Sequence, residues 1–388
     1  MTTLRLPTET GTIEPYTLQG EALPPPHGKP VFNRVAMAAA HVVSDPLSAI
    51  EPSAGGAVDW ERTLAYRDHL FGHGLAVAEA MDTAQRGMGL DWPTALELIR
   101  RSVENARHHK GALVFSGCGT DQLDPADASS LDDVIGAYLT QMDAIQAVGG
   151  RVILMASRAL ARIASGPDDY ARVYGKVLAH AEEPVILHWL GEMFDPALAG
   201  YWGGDDFDRT MATCLAVISD NVAKVDGIKV SLLDAEKEIV MRRRLPEAVR
   251  MYSGDDFAYP TLIKGDAHGH SDALLGIFDA IAPAACHALA ALAKGDSDAY
   301  DRIFAPTVPL SRLIFRSPTR FYKTGVVFMA WLNGHQDHFT MLGGQQAMRP
   351  LPYFAGIFRL ADQAGLLRDP GLAARRMRQL LDLHGVEA

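Results

Sequence analysis

One lysine in the stretch VDGIKVSLLD, Lys229, follows Gly227 and Ile228 at the end of an apolar run and precedes a stretch that turns polar. An amine in that position is either a solvated charge at a strand end or a reactive group held in a cavity. Desolvation disfavours the ammonium form and lowers its pKa, giving a neutral amine able to attack a carbonyl carbon. A lysine paired with a strand-end carboxylate such as Asp255 is the plainer reading, and position alone leaves both open.

Other residue types in the chain can do chemistry too. His188 in PVILHWLG has an ordinary imidazole pKa of about 6.5, which suits it to give or take a proton near neutrality. His268 and His270 form H-x-H, and on a strand both would share a face; His335 and His338 lie three apart. Together with His41 and the aspartates they raise the possibility of a metal-dependent hydrolase or isomerase. Arg86 and Arg158 present planar forks suited to a carboxylate or phosphate, or to pairing with an acid such as Asp82. Cys118 in SGCGT is a candidate thiolate, or else a small buried residue beneath a loop. Trp189, Tyr201, Trp202 and Trp331 offer rings for stacking, or core.

The elements that would position these groups recur in a strand-then-helix cadence. Eight short apolar runs read as strands: RVAMAAAHVV, LAVAEAM, GALVFSG, RVILMAS, PVILHWL, VDGIKVS, AVRMYSG and GDAHGHS. Between them lie amphipathic segments with apolar residues at i, i+3 and i+4 and acids near their starts. Near-continuous apolar strands separated by helices imply a parallel sheet, and eight such units close into a (β/α)8 TIM barrel. No G-x-G-x-x-G follows the first strand, which weakens an open dinucleotide-binding sheet. The expected organisation is an extended Pro- and Gly-rich arm or short hairpin over 1–33, the barrel over 34–282, and a helical region over 283–388. In such a barrel the functional groups sit at the C-terminal strand ends, which nominates Lys229, His188, Arg86, Asp255 and His270 among others.

Bulk properties narrow the partners. The chain has 388 residues, 48% hydrophobic, and a formal charge of -11. That acidity argues against nucleic acid, whose phosphates need clustered Lys and Arg. No apolar run approaches the roughly 18 residues of a membrane span, and the N-terminus lacks a signal-peptide pattern. Three cysteines, widely spaced and odd in number, suggest neither a disulfide framework nor a zinc knuckle. A soluble cytoplasmic protein acting on a small molecule is expected, with the helical tail suited to building a homodimer or homotetramer.

Residues 225–300 resemble the dihydrodipicolinate synthase and N-acetylneuraminate lyase superfamily of class I aldolases. VDGIKVS is similar to the segment carrying its Schiff-base lysine, YSGDDF to its seventh-strand segment, and GDAHGHSDALLGIFDAIAP to its Gly-rich eighth. GCGTD and PVILHWLG echo the third and fifth. The resemblance implies that Lys229 forms the imine and that no metal or other cofactor is needed. It departs where the family carries a Gly-Thr-Thr-Gly-Glu segment that holds the substrate carboxylate: here MDTAQRGMG leaves Thr83 as the hydroxyl, with Arg86 beside it. The fifth-strand tyrosine of the family is replaced by His188. HWLGEMFDPALAGYWG and NGHQDHFTMLGG are similar to a subgroup of that superfamily carried as a domain of unknown function. The expected activity is a lyase that makes or breaks a carbon–carbon bond, or eliminates water, on an oxo acid or sugar-derived oxo compound. Thr83, Arg86, Asp255 and His270 would place substrate groups. The alternatives are the metal-dependent enzyme and a barrel that binds a metabolite without turning it over.

Overall fold

The computed structural model describes residues 2–26, 28 and 30–387. It divides into two compact units, one of Met1–Asn33, His41–Leu75 and Gly276–Ala388, the other of Arg34–Ala40 and Ala76–Leu275.

The second unit holds the barrel. The chain opens with a hairpin, β1 (Thr3–Pro7) and β2 (Ile13–Thr17), which belongs to the first unit. The barrel strands are β3 (Ala36–Ala39), β4 (Ala76–Glu79), β5 (Val114–Cys118), β6 (Arg151–Leu154), β7 (Val185–Leu190), β8 (Val225–Ser231), β9 (Arg250–Ser253) and β10 (Asp272–Leu275). They run parallel and close in sequence order, β10 pairing with β3. The expected (β/α)8 barrel is therefore what forms. Seven of the eight anticipated runs coincide with strands. The last does not: GDAHGHS is a turn closed by an Asp266–Gly269 bridge, with φ +81° at Gly265 and +144° at Gly269, and the strand is the DALL that follows.

Helices follow the strands with the capping chemistry their sequences announce. α1 (Trp60–Gly72) lies in the first unit; α2 (Trp92–Ala106), α3 (Leu131–Ala147), α4 (Arg158–Ile163), α5 (Pro167–His180), α6 (Phe207–Asp220), α7 (Ala235–Arg242) and α8 (Tyr259–Lys264) lie in the second. Asp91, Ser130, Asp206 and Asp234 accept from the N–H of Thr94, Asp133, Arg209 and Lys237, each satisfying a donor that the first turn leaves open. From α9 (Ile277–Ala280) and α10 (Ala282–Ala293) onward the first unit is helical, ending with α15 (Pro370–Leu383). Among the described residues no helix is long and apolar enough to cross a membrane.

Inside the barrel, Met37, Ala39, Ala76, Ala78, Phe115, Ile153, Ile186, Tyr252 and Leu274 form one buried cluster. Strand side chains alternate between faces, so the same pleat that turns Ile186 inward also turns His188 inward. At the N-terminal strand ends the Tyr252 hydroxyl donates to Asp226 at 2.6 Å, and Arg250 bridges Asp226 and Asp272. Gly227 is required there. A Cβ on it would lie 2.6 Å from the Tyr252 ring and 2.7 Å from the Arg250 carbonyl oxygen. Gly227→Ala is expected to cost about 1–3 kcal/mol, the range of overpacked cores, read as a lower urea midpoint with an unchanged m-value.

Candidate active site

β7 and β8 set His188 and Lys229 directly beside each other in parallel register. Two residues on, the pleat returns to the same face at Ser231, whose Oγ lies 3.1 Å from His188 Nε2. His188 is 3% and Lys229 7% exposed, so amine, imidazole and hydroxyl form one sheltered group inside the barrel wall. Gly254, after β9, lets the next strand end press on them. A Cβ there would meet Ser231 Oγ at 2.2 Å and Lys229 Cε at 2.9 Å.

Burial pushes the Lys229 amine down to about 8, with the charges of Asp256 and then Asp82 pulling it part of the way back. Burial, and then the charge of Lys229, also holds His188 well below the ordinary imidazole range. The imidazole is therefore neutral at physiological pH. It keeps a ring lone pair that can accept a proton, but the burial and charge that hold it neutral make it a weaker base than an ordinary imidazole.

Asp255, expected either to pair with the lysine or to hold substrate, turns Oδ1 to its own loop, accepting from the N–H of Phe257 at 2.8 Å and Ala258 at 2.9 Å. Behind it Glu238 on α7 is buried and accepts from Ser253 and Ser271 at 3.0 and 2.7 Å. Burial pushes that carboxyl up to about 8, while the two serines pull it down. The backbone N–H of Asp255 donates to Ser253 Oγ, so Glu238 braces the loop that carries Asp255 and Asp256.

MDTAQRGMG forms a 3-10 turn over Asp82–Ala84, with Gln85 in the left-handed region at φ +66°. Thr83 is buried within it. Arg86 is committed to the protein. Its Nε donates to Asp121 at 3.0 Å, Nη1 to the carbonyls of Ala80 and Gly117 at 3.1 and 3.0 Å, and Nη2 to Asp121 and to Gln141 Oε1. Burial would raise Asp121, but the charge and hydrogen bonds of Arg86 prevail and hold it below the usual carboxylate range. Arg158 pairs with Asp195 at 2.6 Å.

Other expectations fall outside the strand mouth. Because β10 begins at Asp272, His268 and His270 precede it, at the strand's N-terminal end and opposite the end that carries Ser231. The expected substrate contact from His270 is thus not brought together with Lys229. All three cysteines are buried and unpaired, and burial pushes the Cys118 thiol up, away from a thiolate. Trp202 packs among Tyr170, Tyr174 and Tyr201, and Trp189 stacks on Phe207, so these rings are core. Among the described residues no three His, Cys, Asp or Glu side chains are grouped so as to hold a metal ion. The residues that sequence reasoning passed over are Ser231 and Gln141. Ser231 was visible in the alternation Gly227, Lys229, Ser231, whereas nothing local ties Gln141 to Arg86.

Comparison with known proteins places the fold. A family model described as a protein of unknown function, DUF993, matches residues 4–386. A putative dihydrodipicolinate synthetase from Pseudomonas aeruginosa superposes with a TM-score of 0.64 at 16% identity, covering 86% of this chain and 98% of its own. The dihydrodipicolinate synthase of Bacillus clausii gives 0.62 at 16%, covering 84% and 97%. The chloride-inhibited synthase of Acinetobacter baumannii, complexed with pyruvate, gives 0.61 at 16%, covering 86% and 99%. No curated protein matches the sequence.

Proposed function

The chain belongs to the DUF993 family and shares the barrel of dihydrodipicolinate synthases, and from that premise we propose that it is a lyase of class I aldolase type acting through an imine on Lys229. One observation carries the proposal: an amine enclosed in the barrel wall, brought down to about 8 by burial, beside a neutral His188 hydrogen-bonded to Ser231.

In this reading Lys229 Nζ attacks the substrate carbonyl carbon, and the carbonyl oxygen leaves as water. The resulting iminium withdraws electrons from the neighbouring carbon. A carbon–carbon or carbon–hydrogen bond at that carbon then breaks, its electron pair passing into the C=N unit. His188 Nε2, with Ser231 Oγ alongside, takes the released proton and returns it in the opposite direction.

The charges around the amine favour one side of the expected substrate range. Asp82 and Asp256 place negative potential on Lys229, and Arg86, in the segment where a carboxylate anchor was expected, is engaged by Asp121, Gln141 and two carbonyls. A polyhydroxylated aldehyde or ketone meets no charge repulsion there, whereas an oxo acid places its carboxylate against two others. We therefore favour a neutral, carbohydrate-derived carbonyl compound.

Sodium borohydride reduction in the presence of dihydroxyacetone, glyceraldehyde or pyruvate, followed by peptide mass analysis, tests both parts. The expected result is an adduct on Lys229 with dihydroxyacetone or glyceraldehyde and little with pyruvate. An adduct formed best with pyruvate overturns the substrate class alone. The absence of any Lys229 adduct across the three overturns the imine.

A further inference from the structure

The first unit contains a cavity of its own, about 420 Å³, within the roughly 300–1,000 Å³ of small-molecule sites. It is lined by the C-terminal half of α1, the end of the helix Tyr322–Leu332 with the turn that follows it to His335, and the segment 365–368, together with Leu23, Pro24 and Pro25 of the N-terminal arm. The arm is held there by His287 Nε2, which donates to the Pro24 carbonyl at 2.8 Å.

One wall is a run of rings in contact. His41 lies 4.3 Å from Tyr66, Tyr66 4.9 Å from His335, His335 4.3 Å from His69, and His69 4.4 Å from His73, centroid to centroid. His69, His73 and His335 line the cavity, and each keeps part of its surface accessible. Burial, reinforced by the charge on neighbouring groups, holds His69 down to about 2 and His335 to about 3, so both are neutral imidazoles at physiological pH. A neutral imidazole still offers one N–H donor and a flat apolar face.

The remaining lining supplies one charge of each sign. Asp279 is engaged by His41, whose Nδ1 lies 2.9 Å and whose backbone N–H lies 2.7 Å from its Oδ2. Among the lining residues Arg368 is the one permanent cation; it is exposed at the rim, and its charge is felt at both His69 and His335. Leu23, Pro283, Met329, Ala330 and Leu366 supply the apolar part of the lining.

We propose that this cavity is a second small-molecule site, separate from the Lys229 site, that takes a flat carboxylate: its ring stacked on the His69–His335 wall and its anion received by Arg368 and the imidazole N–H groups. Guanidinium and carboxylate match in geometry and charge, and the ring wall matches a planar body in a way that a polyhydroxylated chain would not.

Isothermal titration calorimetry with benzoate and indole-3-acetate, and with benzamide and indole-3-acetamide as uncharged counterparts, tests the assignment. At least one acid is expected to bind in the low millimolar range or tighter, roughly tenfold better than its amide, as a charge-assisted contact requires. Arg368→Gln, an exposed position, should remove that preference. Ala330→Phe should fill the space and abolish binding. Lys229→Met should leave binding unchanged. Failure of both acids to bind, retention of the acid preference in Arg368→Gln, or loss of binding in Lys229→Met would each overturn the proposal.

Discussion

Lys229→Met lowers turnover of the carbonyl compound that gives the borohydride adduct by roughly 10⁴-fold or more, because no other group replaces the nitrogen that carries the covalent intermediate. Lys229→Arg is equally inactive, since a guanidinium stays protonated at any working pH. The wild-type pH profile carries the same information with a sign. Attack needs the unprotonated amine, so kcat/KM rises with pH through about 8 and levels above it. Asp256 opposes the burial that depresses Lys229. Asp256→Asn removes that opposition, the amine loses its proton more readily, and the acid limb moves below its wild-type position. Asp82→Asn moves it the same way by less. Steady-state rates between roughly pH 6 and 10, the span over which a lysine displaced this far titrates, decide the matter. A variant at Lys229 retaining a tenth of the activity, or an acid limb that moves upward in Asp256→Asn, is incompatible with the imine.

The lysine was legible in the sequence because its strand is. An apolar run with a glycine at 227 and polar residues at 229 and 231 can satisfy a barrel only if that alternation faces inward, and the pleat does the rest. His188 follows from the same logic on the neighbouring strand. The eighth strand was misplaced for the converse reason. GDAHGHS carries two glycines whose positive φ angles make a turn, and the four residues of DALL are too short to stand out against the apolar helices after them. That displacement moved His270 from one end of the strand to the other. Asp255 is harder to read from the chain, because a buried aspartate beside a loop looks the same whether or not one of its oxygens accepts, as Oδ1 does here, from the backbone two and three residues on. Arg86 is a matter of distance along the chain. Its partners Asp121 and Gln141 lie 35 and 55 residues away, and it takes the pairing of β4 with β5 and the packing of α3 beside them to bring the three together.

Arg86 also provides the largest stability effect. Arg86→Met takes the guanidinium from two carbonyls, Gln141 Oε1 and the Asp121 carboxylate in a largely buried place; Gln141 Oε1 keeps the Gly119 N–H and Asp121 the Gln141 amide, but the charge that balanced the carboxylate is gone, and the expected loss is about 3–5 kcal/mol. Urea unfolding at neutral pH reads this as a lower midpoint. The pH dependence identifies its source. Asp121 is held below the carboxylate value of its unfolded form, so its contribution is present above that value and lost as pH falls through the lower, folded one. The difference between wild type and Arg86→Met is therefore largest at neutral pH and narrows in acid. An arginine whose work was to receive a substrate carboxylate would behave otherwise, leaving the fold intact and raising KM. With the guanidinium engaged on every side by the protein, lost activity in Arg86→Met should instead track the fraction unfolded, and return at low temperature or with stabilising osmolyte with KM unchanged.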